Sequence, residues 1–209
     1  MSLGYTGALS PVLVRGDIVL SAYSMAVGSV GPVATQWELE LEQNLHLLAD
    51  RSHEHHVHVS PLLTADRIVA RQEEKRRLFE QTGAEVVDME SISLFKVARE
   101  ERIPFLGIHA VTDTAEEDIP ALEVINPFLE SKSFWRYPNI FWDLITHPRF
   151  IYDMAVLNHD ARMAGRNMAH FLKANESAIG KLIQSCIDSY PGASTGSKQP
   201  RGDGSDAGR

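Results

Sequence analysis

Two acidic residues stand at comparable places in this 209-residue chain. Glu90 follows the apolar run Ala84 to Val87 by way of Asp88 and Met89, and Asp113 follows the apolar run Ile103 to Val111. In open α/β sheets, ligands bind beyond the carboxyl ends of the strands. A carboxylate near a helix N-terminus stays ionised and can accept two hydrogen bonds at once, which suits the vicinal hydroxyls of a ribose. An Asp in a partly apolar crevice is different, because desolvation favours its protonated form and lets it donate a proton. One such pair can hold a sugar and assist a leaving group. The same residues also fit a plainer role, in which Asp88 and Glu90 cap a helix and Asp113 opens a turn with Thr112 and Thr114.

Other chemistry-bearing clusters say less. His53, His55, His56 and His58 crowd the stretch RSHEHHVHVSP, but their spacing matches no closed ligand set and no metal is assigned. Gly4 and Gly7 read as a turn before an apolar run, where backbone N–H groups can approach an anion or a sugar. The single cysteine, Cys186, has no neighbouring histidine to activate it, and it excludes a disulfide framework within the chain.

The elements that must position these residues follow from periodicity. Pro11 to Val27 predicts two short strands broken at Arg15-Gly16-Asp17. Thr35 to Asp50 predicts a helix with Trp37, Leu41, Leu45 and Leu48 on one face. HVHVSPLLTADRIVA predicts a strand and a short connection. Arg71 to Thr82 predicts a charged surface helix with Glu73 one turn before Arg77 and Gly83 just past its end. Ala84 to Val87 and Ile103 to Val111 predict buried strands around a helix that Asp88 caps and that runs to Arg102. This alternation predicts an α/β layer fold with parallel strands. Beyond Asp118 the pattern turns helical, through PNIFWDLITHP and a long segment after Pro148. There Phe150, Met154, Leu157, Ala161, Ala164, Met168 and Phe171 form a stripe facing the sheet or a neighbouring subunit. One domain over 1–190 and a disordered Gly/Ser/Pro-rich tail over 191–209 complete the expectation.

Bulk properties restrict partners. With 20 Lys plus Arg against 28 Asp plus Glu, a net charge of −8, and no basic stripe, nucleic acid is excluded as the main partner. No apolar run reaches the roughly 18 residues of a membrane span, and no signal-peptide pattern opens the chain, so a soluble cytoplasmic protein is expected.

GAEVVDMESISLFKVAREERIPFLGIHAVTD resembles the segment of purine nucleoside phosphorylases and methylthioadenosine/S-adenosylhomocysteine nucleosidases in which a Val-Asp-Met-Glu helix start precedes a strand ending in Ser-Asp. The opening GYTGALSPVLVRGDIVLS is similar to the same family's Gly-rich turn and following Gly-Asp strand. The resemblance covers roughly Gly4 to Asp118. It implies a three-layer αβα sandwich around a mixed central sheet, here with a helical C-terminal extension, and cleavage of a ribosidic C–N bond by phosphate or water. It further implies that Met89 packs on the ribose, Glu90 holds its hydroxyls, and Asp113 protonates or hydrogen-bonds the purine N7, with Thr112 beside it. Ile68 packs on the base, and Gly4, Tyr5, Thr6 and Gly7 line the substrate. No cofactor is implied, beyond inorganic phosphate as a co-substrate. A small-molecule nucleoside and a homo-oligomeric assembly are the implied partners.

ITHPRFIYDMAVLNHDARMAGRNMAHFL and RQEEKRRLFEQTGAEVVDMES are similar to hopanoid-associated phosphorylases, which are implicated in removing adenine from an adenosylated triterpenoid. On that resemblance Phe134, Trp135, Phe141 and Trp142 could line an apolar channel or belong to the core. Departures from the family pattern are Tyr5 in place of Ser or Thr, and His109 and Thr112 in place of Arg and Ser. The chain also opens at a turn that family members reach after several strands. The expectation is therefore an N-terminally incomplete domain with little or no turnover of its own. A catalytically silent nucleoside binder and a structural protein associating through the long helix remain alternatives.

Overall fold

The computed structural model describes residues 1–28, 34–52, 56–119 and 148–189, with side chains described throughout except at 37, 148–154 and 189. The expected tail, the segment PNIFWDLITHP up to His147, the aromatics from Phe134 to Trp142, and His53 and His55 lie outside the described residues.

Among the described residues seven strands form one mixed sheet. They are β1 (Ser2–Ala8), β2 (Ile18–Ser21), β3 (Ser24–Ala26), β4 (Val57–Val59), β5 (Leu62–Thr64), β6 (Val86–Asp88) and β7 (Gly107–Asp113), in the spatial order β3-β5-β6-β1-β7-β2-β4. β1 pairs parallel with β7 and antiparallel with β6, and β2 pairs antiparallel with β7. The sheet is thus mixed, as the family resemblance implies, and not parallel throughout as the bare alternation suggests.

The stretch around Gly4 and Gly7, read as a turn, is instead the central strand β1. Glycine is poor in a strand, but here large side chains of β7 cross directly over it. A Cβ on Gly4 would lie 3.0 Å from His109 Cδ2, and one on Gly7 would lie 3.0 Å from Asp113 Oδ2. The strand expected over Pro11 to Val14 is a turn, closed by the Leu13 N–H on the Ser10 carbonyl and by the Val14 N–H on the Asp17 carboxylate at 2.9 Å.

The connection after β4 holds a second strand, β5, and the two stand near opposite ends of the strand order, as β2 and β3 do. Each pair is one extended path that bends, at Ala22-Tyr23 and at Ser60-Pro61. At the bends the Ser60 N–H donates to Leu20 O (3.1 Å), the Leu62 N–H to Tyr23 O (3.2 Å), and the Ser21 hydroxyl to the Ser60 carbonyl. Bent strands that change neighbours make corners, so the sheet curls and its ends approach.

Among the described residues four helices cover both faces: α1 (Gln36–Asp50), α2 (Gln72–Thr82), α3 (Ser91–Glu100) and α4 (Pro148–Ser189). A capping box starts α1, in which the Thr35 side chain accepts from the Glu38 N–H and the Glu38 carboxylate accepts from the Thr35 N–H. α2 ends at Gly83 with φ +70°, a left-handed conformation that costs glycine little. Its contact to Arg77 comes from Glu74, at 3.7 Å, in place of the expected Glu73.

Leu41, Leu45 and Leu48 of α1 join Ala164, Phe171, Ile179 and Cys186 of α4 over Ile18, Leu20, Ile108 and Ala110. On the other face Phe95 of α3 packs on Val19, Val86 and Val111, and Leu78 of α2 packs on Leu63 and Val87. Ala164, Met168 and Phe171 of the α4 stripe therefore face the sheet. With 42 residues, α4 is about 63 Å long.

Candidate functional site

β1 and β7 run side by side in register from Ser2↔Gly107 to Thr6↔Val111, and an irregularity between Thr6 and Gly7 brings Gly7 opposite Asp113. β6 pairs with β1 only through Gly7 and Ala8, so the Ser2–Thr6 edge away from β7 is left open beside the start of α3. A cleft of about 520 Å³ results, within the roughly 300–1,000 Å³ of small-molecule sites. Its walls include the residues that the family resemblance assigns to the substrate: Gly4, Tyr5, Thr6 and Gly7 of β1, Ile68, Met89, Glu90, Thr112 and Asp113.

The two acids at the ends of β6 divide their work. Asp88, the last residue of β6, is buried; its Oδ1 accepts from Thr64 Oγ1 at 2.7 Å and its Oδ2 from the Ser91 N–H at 3.0 Å. The Thr64 hydroxyl accepts in turn from the Ile92 N–H at 3.0 Å, so this pair serves the first turn of α3. Glu90 occupies the N-cap position without a side-chain capping bond. Its exposed carboxylate makes no hydrogen bond or ion pair among the described residues, and it borders the cleft. The plain capping role thus belongs to Asp88, and Glu90 is left available to a ligand. Met89, 39% exposed, lies between them on the cleft wall.

Asp113 ends β7 and is 8% exposed. In place of the partly apolar crevice considered for it, polar partners hold its carboxylate. Lys75 Nζ, from α2, donates to Asp113 Oδ2 at 2.6 Å, and Thr112 Oγ1 lies 3.0 Å from Oδ1. Lys75 is completely buried, and its ammonium also donates to the carbonyls of Thr114 at 2.7 Å and Glu117 at 3.2 Å. Three acceptors use its three donors, which is the condition under which a buried ammonium is tolerated. Sequence reasoning missed Lys75, although a signal was present: it lies three residues before buried Leu78 on the sheet-facing side of a charged helix.

His109, on the same face of β7 as Asp113, lies beneath Gly4 and is 2% exposed. Burial pushes its imidazole below the usual histidine range, and the Asp88 carboxylate acts in the opposite direction. Its Nε2 lies 3.4 Å from Ser91 Oγ and 3.7 Å from Asp88 Oδ2, while Nδ1 has no hydrogen-bond partner among the described residues. Ser91 and Asp88 approach the same ring nitrogen, so the three do not form a nucleophilic triad, which needs one partner on each.

The remaining wall residues shape the cleft. The Thr6 hydroxyl donates to Val87 O at 2.7 Å and is spent on the fold. Tyr5 reaches towards α4, where a Cβ on Gly165 would come within 2.7 Å of its hydroxyl. Ile68 is half-buried, and its neighbour Arg67 forms a two-pronged contact with Glu74 at 2.6 and 3.2 Å. Val69 and Val87 add apolar surface that sequence reasoning did not assign to the site. Among the described residues no group of three or more His, Cys, Asp or Glu side chains could hold a metal ion, and no helix is long and apolar enough to cross a membrane.

A curled mixed sheet between helical layers, with a cleft at the ends of β6 and β7, has the form of a nucleoside phosphorylase-like fold. The chain belongs to the phosphorylase superfamily, whose family model matches residues 1–132. The native structure of futalosine hydrolase from Helicobacter pylori is similar in fold, with a TM-score of 0.50 at 15% identity over 82% of this chain and 67% of that one. A 5′-methylthioadenosine/S-adenosylhomocysteine nucleosidase from the same organism, bound to butyl-thio-DADMe-Immucillin-A, gives 0.49 at 15% identity over the same shares. Purine nucleoside phosphorylase from Schistosoma mansoni gives 0.45 at 19% identity over 61% and 56%. The chain spans about two thirds of the length of the two Helicobacter proteins. A comparison with curated proteins gives no match.

Proposed function

We propose that this chain binds a purine nucleoside of the adenosine type and acts in cleavage of its N-glycosidic bond by phosphate or water. The observation that carries this reading is the placement of Glu90 and Asp113 in one cleft, with the Glu90 side chain unengaged among the described residues and Asp113 held by Lys75. Glu90 accepts from the sugar hydroxyls, Met89 packs on the ribose, Ile68 packs on the base, and Asp113 with Thr112 meets the imidazole edge at N7. Gly4 and Gly7 keep the cleft floor low. As the C–N bond breaks, its electron pair moves to the base, and a hydrogen bond at N7 stabilises that change more than it stabilises the bound substrate.

The resemblance of α2 and α4 to hopanoid-associated phosphorylases supports an adenosyl group joined to a triterpenoid as the finer substrate. The family's habits support a homo-oligomer working in the cytoplasm. A second reading, nucleoside binding without turnover, is favoured by one feature: the bond between Asp113 and Lys75, where a free acid was expected. Adenine release from adenosine derivatives, with and without phosphate, tests both in wild type and Asp113→Asn. Release that Asp113→Asn abolishes supports cleavage, and its phosphate dependence names the nucleophile. Binding without release supports the second reading. If neither binding nor release occurs in the folded protein, both readings fall.

A further inference from the structure

The outer face of α4 carries charges that the cleft does not use. Asp160 turns inward, is 8% exposed and lies 3.0 Å from Arg15 Nε, so its charge is answered within the fold. From Ala161 to Asn175 the helix then holds no acid, in a chain whose net charge is −8. Over the same stretch Arg162, Arg166, His170 and Lys173 follow one another at spacings of three and four on its exposed side. Arg162 and Arg166 make no hydrogen bond or ion pair among the described residues. Two guanidinium groups one turn apart repel each other, a cost that an anion between them removes. A recess of about 420 Å³ opens at this point, lined by Asn158, His159, Arg162, Met163 and Arg166 with Ala155, and it shares no residue with the cleft. His159 Nδ1 lies 3.2 Å from Asp160 Oδ1, which leaves Nε2 uncommitted among the described residues.

We propose that this recess is a phosphate-binding site outside the cleft, in which Arg162 and Arg166 share one phosphate group and His159 and Asn158 complete its donors. The lining offers two guanidinium forks, an imidazole and an amide, and no carboxylate. A phosphate monoester, with three terminal oxygens and nearly two negative charges, uses such a set more fully than a carboxylate with two oxygens and one charge. Guanidinium groups also bond phosphate through pairs of parallel hydrogen bonds, which a lysine ammonium cannot form. The two arginines stand on the side of α4 away from Ala164 and Phe171, which are buried against the sheet. The site stands apart from the nucleoside reading, since neither arginine lines the cleft. Inorganic phosphate, a soluble phosphate ester and a phosphatidic acid headgroup all present the group it recognises.

Arginine modification by phenylglyoxal, mapped residue by residue by mass spectrometry, tests the site. Replacing sodium chloride with about 10 mM sodium phosphate at equal ionic strength is expected to slow modification of Arg162 and Arg166 at least about threefold. Arg51, Arg76 and Arg102, which are also exposed, should react as before. Because one ion bridges both side chains, Arg162→Gln is expected to remove the protection of Arg166, and Arg166→Gln that of Arg162. Both residues are exposed, so each variant should keep the urea midpoint of wild type. Protection missing at either arginine in wild type, matched at Arg51, Arg76 or Arg102, or retained by the remaining arginine in a variant, overturns the proposal. Sedimentation with phosphatidylcholine vesicles, alone and with about one fifth phosphatidic acid, then separates the sources. Capture by the acidic vesicles that Arg162→Gln/Arg166→Gln abolishes assigns the site to a lipid headgroup. No capture, or capture that the double variant retains, assigns it to a soluble phosphate.

Discussion

Replacing Lys75 with methionine tests how far the Lys75–Asp113 pair holds the fold together. Lys75 is 0% exposed and Asp113 8%, so removing the lysine leaves a carboxylate that is largely out of water without its cation. The substitution leaves the Asp113 carboxylate with Thr112 as its remaining hydrogen-bond partner, and it strips the donor from the carbonyls of Thr114 and Glu117. Removing one member of a buried pair costs roughly 3–5 kcal/mol, against a total stability of about 5–15 kcal/mol for a typical domain. With m-values of about 1–3 kcal/mol/M, the urea midpoint should fall by at least about 1 M. The double variant Lys75→Met/Asp113→Asn removes the uncompensated charge, and it is expected to recover most of that loss. Equilibrium unfolding followed by circular dichroism measures all three proteins. A single variant within about 1 kcal/mol of wild type, or a double variant no more stable than the single, would refute this account of Lys75.

Two further perturbations probe other parts of the molecule. Phe171→Ala removes a fully buried ring from the α4–sheet interface and should cost about 3–5 kcal/mol in urea unfolding; a loss below about 1 kcal/mol would mean that α4 does not dock as described. His58 is raised above its ordinary value, chiefly by its hydrogen bond to Asp17, with burial opposing and the charges of Asp17 and Glu85 assisting. A histidine raised on folding contributes stability that is fully present below its unfolded value near 6.5 and is lost as pH rises through the folded value. The urea midpoint of wild type relative to His58→Gln should therefore shrink between about pH 6 and pH 8, and a difference that grows with pH would contradict the pairing.

The layers were legible because their signals are local. Thr35 with Glu38 three residues on, Gly83 after a helical run, and the apolar segments ending at Asp88 and Asp113 are each read within a few residues. β1 was not legible, since Gly-Tyr-Thr-Gly lacks the β-branched run of a strand. Its reason for being one lies in His109 and Asp113, over a hundred residues away. The antiparallel pairings and the bends at Tyr23 and Pro61 are likewise set by distant neighbours. Within the site, position at the strand ends identified Glu90 and Asp113, and spacing alone could not separate Asp88, which caps, from Glu90, which does not. The partner of Asp113 was hidden because Lys75 sits among glutamates and arginines in a helix that looks wholly solvated.

The pairing of β1 with β7 also bears on how the molecule assembles. Ser2 meets Gly107 and Gly7 meets Asp113, so the floor of the cleft joins the first strand of the chain to one that follows about a hundred residues later. Closing so long a loop costs only slightly more entropy than closing a shorter one, but the contact rewards the chain only after the intervening strands are in place. No local folding unit contains the cleft. A nucleoside that binds it can therefore stabilise only the fully assembled state, and should suppress global unfolding while leaving the fraying of α1 or the far end of α4 untouched. Amide hydrogen exchange would show that selectivity as protection spread across the whole sheet.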